Sequence, residues 1–123
     1  MGCSVSRRER ERTSVQARRN FCFFDAPVGI FFTTDAYLAK GSWSDVGLLM
    51  QTVMLAARAD GLHTCRQAAW ITFQKPIFEH LRIPGDEVIV SGMALGYEDT
   101  TAIENTLVSV REKLDDVVKF SGF

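Results

Sequence analysis

The stretch from Val46 to Ala57 constrains this chain more than any other part of it. Val46, Leu49, Met50, Val53, Met54 and Ala57 recur at the three- and four-residue steps that put side chains on one face of an α-helix, and Leu48 and Leu55 widen the stripe. The spacing predicts a helix that is apolar over more than half of its circumference, so most of its surface needs a cover. Ser42, with Asp45 three residues on, approximates a capping box and marks the expected start. Arg58 and Asp60 restore polarity, and Gly61 suits the left-handed residue that commonly closes a helix.

Two further apolar runs are shaped differently. Val28-Gly29-Ile30-Phe31-Phe32-Thr33-Thr34 is β-branched and aromatic on both faces, which predicts an interior strand. Glu87 to Tyr97 reads as a second interior strand, and the glycines toward its far end predict a close approach of neighbouring groups to the backbone. Residues 7 to 19 suit a polar, arginine-rich helix, broken by the aromatic stretch Phe21–Pro27 because proline disfavours helix at the residue before it. Phe73 to Leu81 predicts a short amphipathic helix with Pro76 in its first turn, followed by a turn at Pro84-Gly85-Asp86. Arg111 to Val118 reads as helix-like, and "GLHTCRQAAW", Gly61 to Trp70, as a connection starting at a helix end.

A length of 123 residues at 46% hydrophobic content fits one soluble domain. Nine phenylalanines, two tryptophans and four methionines are a heavy load for so small a surface, which implies cover from another chain or a ligand. Cys3, Cys22 and Cys65 are odd in number and lack CxxC spacing, so a disulfide framework and a thiolate metal site are both unsupported and a reducing, cytoplasmic setting is expected. No apolar run approaches the roughly 20 residues needed to span a bilayer, and the N-terminus lacks a secretory apolar segment. "MGCSVS" satisfies a loose acylation pattern that six residues meet easily, so no membrane partner is expected. Arg7, Arg8, Arg10, Arg12, Arg18 and Arg19 crowd the first twenty residues, but Glu9 and Glu11 interleave with them. That pattern suits a solvated helix rather than a nucleic-acid surface.

Few side chains announce chemistry on their own. His63 and His80 share no carboxylate pattern, which leaves surface or capping roles, and Cys65 has no redox partner nearby in sequence and reads as a small buried filler. Ser91, Thr33 and Thr34 lack any nucleophile motif. Trp70 suits either aromatic stacking on a ligand or packing, whereas packing is the better expectation for Trp43.

Four segments in order, "FFDAPVGIFFTTD", "GSWSDVGLLMQTVMLAARADGLHTC", "IPGDEVIVSGMALGYED" and "NTLVSVRE", together resemble the C-terminal part of the FMN-dependent nitroreductase family, nitrobenzoate-reductase-like members in particular. The resemblance runs from about Arg18 to Phe123. It implies an α+β fold in which a mixed sheet is flanked by helices, with the N-terminal portion of the domain missing. Residues 1–20 would form a basic lead-in helix and 21–123 the C-terminal part of the domain. It further implies an intertwined homodimer that binds FMN at the subunit interface, takes electrons from NAD(P)H and passes them to a nitroaromatic or quinone-like acceptor.

Carried over by position, the family's loop along the flavin ring falls on Arg66, Gln67, Ala68 and Ala69, and its basic phosphate contact on Arg111. Small side chains at Ala68 and Ala69 let a main chain come close to a flat ring, and the planar guanidinium of Arg111 suits a phosphate. Members of the family usually carry proline where Arg66 stands, so the loop here loses a fixed φ and gains a charge. The alternative reading is a truncated, non-catalytic homologue, or a dimerising module, that does not hold flavin.

Overall fold

A computed structural model of the chain describes residues 13–15, 17–38 and 40–122. Three strands form one sheet in the order β1-β3-β2, with β1 Val28–Asp35, β2 His63–Gln67 and β3 Glu87–Gly96. Both pairings are antiparallel, so the α+β expectation holds with an antiparallel sheet among the described residues. The helices are α1 Lys40–Ala59, α2 Gln74–Leu81 and a single turn, α3 Leu114–Val117. Three 3₁₀ segments, Arg19–Asp25, Ala68–Phe73 and Ile103–Thr106, are also present, and residues 13–15 and 17–18 are helical, while most of the lead-in helix expected over residues 1–20 lies outside the described residues.

β3 is the interior strand that its composition predicts, with Ile89 through Ala94 all buried. Ile89 and Met93 lose all exposure, each a removal of apolar surface worth about 2 kcal/mol. The register slips between Phe32 and Thr33, so Val90 and Ser91 together face one step of β1 and form a bulge. β1 is an edge strand among the described residues, not the interior strand expected from its two apolar faces. It pairs only with β3, and Val28 keeps 44% exposure. An apolar run on both faces says that both faces seek cover, but the number of hydrogen-bonded neighbours depends on which strands are at hand.

The two faces of the sheet carry different layers. Phe32, Met93 and Met50 of α1 form the core on one face, with Ile30, Val46, Val53 and Met54 packed around them. On the other face the indole of Trp70 lies against Gly92, where an added Cβ would sit 2.3 Å from the ring's Cδ1. The absence of a side chain at Gly92 is what admits the ring, as the glycine pattern in this strand predicted.

Helix α1 begins at Lys40, so Ser42 lies inside the first turn rather than at the cap, and Ser44 Oγ donates back to the Lys40 carbonyl at 3.4 Å. Its other end follows the expectation closely. Gly61 has φ 74°, its N–H donates to the Arg58 carbonyl at 3.1 Å, and the Leu62 N–H reaches the Ala57 carbonyl at 2.8 Å. These two bonds satisfy terminal carbonyls in the six-to-one and five-to-two pattern of a glycine-closed helix.

The burial of α1 departs from its pattern. Only Met50 and Ala57 are buried, and Leu48, Leu49 and Leu55 are more than half exposed. A sheet presents a flat face and covers one stripe of a cylinder, so the second stripe stays open here. The C-terminal segment is also open: Leu107, Val108 and Val110 are all above 80% exposed, and the expected helix from Arg111 to Val118 shrinks to the one turn of α3. Four residues make too few helical bonds to hold a longer helix without packing.

Candidate functional site

The string "GLHTCRQAAW" is not a plain connection. Its middle, His63–Gln67, is the edge strand β2, paired residue by residue with Gly96 down to Gly92. No turn signal separates these residues from the helix beyond Gly61, and five residues without clear alternation carry little strand signal of their own. Pairing with β3 supplies the order. The strand ends where the 3₁₀ segment Ala68–Phe73 turns away, and α2 follows with the amide of Gln74 accepting from the Ile89 N–H at 3.0 Å. That bond satisfies a buried backbone donor that lies beyond the last β2 pair.

Gln67 is 1% exposed and turns its side chain into the fold. Its Nε2 donates to the Asn20 carbonyl at 2.8 Å, and its Oε1 accepts from the Trp70 indole N–H at 3.4 Å. Ser91, also buried, places its hydroxyl 3.3 Å from the Gln67 carbonyl oxygen. Around Trp70 stands an aromatic cluster: Phe23 stacks on the indole with centroids 4.8 Å apart, and Phe21 and Phe31 meet it edge-on at 5.2 and 5.1 Å. Phe73 in turn packs edge-on against Phe21. To present Phe23, the Arg19–Asp25 segment takes positive φ at Phe23, Phe24 and Asp25. Each such residue costs about 1 kcal/mol, which the ring contacts and the Gln67 bond to Asn20 offset.

Of the residues singled out by sequence, the structure makes Gln67, Ala68 and Ala69 one continuous main-chain bend at the end of β2. Ala68 is exposed and Ala69 half-buried, so solvent reaches the bend, whose two side chains are only methyl groups. Arg66 is exposed on β2 opposite Met93. Arg111 lies on the exposed C-terminal segment, where its guanidinium donates to Ser109 Oγ at 2.7 Å and to the Val110 carbonyl at 3.3 Å. Those bonds are local, and they leave most of the guanidinium fork turned to solvent.

The neighbours of the bend fall into minor roles. Cys65 is exposed rather than a buried filler, because β2 is a sheet edge, although partial burial still pushes its thiol up. His63 sets its Nε2 against the Arg58 guanidinium, in the last turn of α1, and 3.0 Å from a Glu98 carboxylate oxygen; both contacts are between side chains and cap no helix carbonyl. Asp99 is held below the usual carboxylate range by bonds from the Thr101 hydroxyl at 2.6 Å and its N–H at 2.9 Å. Asn20 has no part in the sequence-based expectations, and Ser91 enters them only as a serine without a nucleophile motif. No local signal marks them, since their role is to meet Gln67 from distant segments.

A family model described as the nitroreductase family matches residues 3–97. The chain belongs to the nitroreductase family. This nitroreductase-family chain is 47% identical over 104 residues to a 4-nitrobenzoate reductase of Pseudomonas putida, covering 85% of itself and 46% of that protein. It is 40% identical over 103 residues to a nitrobenzene nitroreductase of Ectopseudomonas oleovorans, covering 83% of itself and 45% of the relative. Among solved structures, the FMN and NADPH-dependent nitroreductase NfnB from Sphigopyxis sp. strain HMH superposes with a TM-score of 0.91 at 29% identity, over 97% of this chain and 53% of that one. The chain therefore spans about half the length of the relatives it matches. No helix among the described residues is long and apolar enough to cross a membrane.

Proposed function

We propose that this nitroreductase-family chain serves an FMN-dependent oxidoreductase that passes electrons from NAD(P)H to a nitroaromatic or quinone-like acceptor. The observation that carries the reading is the bend at Ala68–Ala69: a solvent-reached turn bearing only methyls, next to a buried glutamine, in a chain whose relatives are named as nitroaromatic reductases. Bound FMN would supply the redox chemistry, taking hydride from the nicotinamide and giving electrons to the acceptor.

The chain's own residues bind and orient. Ala68 and Ala69 let the main chain lie along a flat ring, where a backbone donor tunes the ring without adding a titratable group. Gln67 contributes through its peptide, since its side chain is committed inward. Arg111 offers the planar fork that suits a phosphate, and Arg66 adds a second exposed cation beside the bend.

The same reading includes a homodimer. The open stripe of Leu48, Leu49 and Leu55 on α1 and the apolar residues of the C-terminal segment, Leu107, Val108, Val110 and Leu114 among them, exceed what an isolated small domain ordinarily exposes. A second copy is the partner that would cover both.

The test is optical. Protein mixed with FMN and passed through gel filtration is expected to retain flavin absorbance, to lose it when NADH or NADPH is added without oxygen, and to regain it with 4-nitrobenzoate. Protein that neither retains FMN nor quenches its fluorescence overturns the reading for this chain.

A further inference from the structure

Among the described residues, the buried polar side chains are Gln67 and Ser91, and both converge on one peptide. Gln67 Nε2 donates to the Asn20 carbonyl at 2.8 Å, with the Asn20 side-chain oxygen at 3.4 Å, and Gln67 Oε1 accepts from Trp70 at 3.4 Å. The Ser91 hydroxyl, with one proton to give, sits 3.3 Å from the Gln67 carbonyl oxygen and 3.1 Å from that of Gly92. Two stretches far from it in sequence, the lead-in turn at Asn20 and the centre of β3, and the nearby turn at Trp70 are thereby tied to the residue that immediately precedes Ala68.

A buried amide is a costly way to fill space. Taking it out of water is unfavourable unless its bonds are made, and an apolar side chain of similar volume would fill the same room without that condition. What the amide adds is direction. Its donor and acceptor face opposite partners, so the side chain has one orientation that satisfies both, and the main chain leaving Gln67 has one course.

We propose that Gln67 is a positioning residue: its side-chain amide, clamped between Asn20 and Trp70, sets the course of the Ala68–Ala69 main chain and so the hold and redox poise of a flavin lying on it. This rests on the reading of Ala68 and Ala69 as flavin-facing. Gln67 acts through the peptide it shares with Ala68 and touches the ring with no side-chain atom.

The experiment compares the parent with Gln67→Leu, which removes both side-chain bonds, and with Gln67→Glu. At neutral pH the carboxylate keeps an acceptor for Trp70 but has no proton for Asn20; in acid the protonated carboxyl regains a donor. Amide ¹⁵N order parameters in flavin-free protein are expected to fall from about 0.85 to below about 0.7 at Ala68, Ala69 and Trp70 in both variants at neutral pH. Those at Ile89 to Met93 should stay unchanged, and Gln67→Glu should recover its order in acid. With FMN added, the dissociation constant of Gln67→Leu should rise about tenfold, the size of one lost hydrogen bond, and the flavin midpoint potential should move.

Unchanged order at Ala68 to Trp70 overturns the proposal, and so does an equal loss across Ile89 to Met93, which would make Gln67 a general core residue. Local disorder with unchanged FMN affinity and potential overturns it as well. A parent chain that binds no FMN refutes the cofactor reading and, with it, the flavin half of the proposal, while the order parameters still decide whether Gln67 sets the main chain.

Discussion

At Gly92 a missing side chain does as much for the site as any functional group. The Trp70 ring occupies the space where a Cβ would stand, and the same ring accepts the stack of Phe23 and donates to Gln67. Gly92→Ala is therefore expected to push the indole off the sheet and to lower stability by about 1–3 kcal/mol, read as a lower urea midpoint with a red shift of tryptophan emission. Cys65 makes a separate prediction at this scale. Burial raises its thiol pKa, so the folded protein favours the protonated form. That contribution to stability is full below the unfolded thiol value and is lost as pH rises through the folded one. Alkylation of Cys65 by iodoacetamide near pH 8 should be slower in the folded protein than in urea, with the gap closing at higher pH. Equal rates in both states would contradict the shift.

Among the elements, α1 shows what periodicity can and cannot specify. The apolar steps from Val46 to Ala57 state that a helix forms and which residues seek burial, and Gly61 closes it through local bonds that need no distant partner. Gly61→Ala should accordingly cost about 1 kcal/mol, because its φ of 74° strains any residue with a Cβ. Chemical denaturation of the two proteins checks it, and an unchanged midpoint would mean that the helix end rearranges without loss. The start of the helix, by contrast, lies at Lys40, three residues before the Trp43 that a Ser42 cap would begin, since Ser42 and Asp45 satisfy a cap pattern that the chain does not use. β2 went unread altogether. Its five residues have no alternation to betray them, and they become a strand only because β3 offers an open edge.

For the molecule as a whole, the open apolar surfaces carry the strongest prediction. Leu48 and Leu55 are 68% and 62% exposed on a helix whose opposite stripe is in the core. If a second copy covers them, Leu48→Glu combined with Leu55→Glu should shift the protein from dimer to monomer in sedimentation velocity, without loss of the helical circular dichroism signal. A parent that sediments as a monomer at all concentrations would sink the dimer.

What the sequence determined by itself is the set of pieces: the long helix and its glycine end, the strands at Val28–Asp35 and Glu87–Gly96, the short helix after Phe73, and the family to which their order points. Each of these is encoded within a few neighbouring residues, through side-chain periodicity or a single left-handed position. The tertiary structure alone decided that β1 is an edge among the described residues, that β2 exists, that one stripe of α1 stays open, and that Gln67 faces inward between Asn20 and Trp70. Those outcomes depend on which distant groups meet. A hydrogen bond between residues 47 apart in the chain leaves no trace in the sequence around either one.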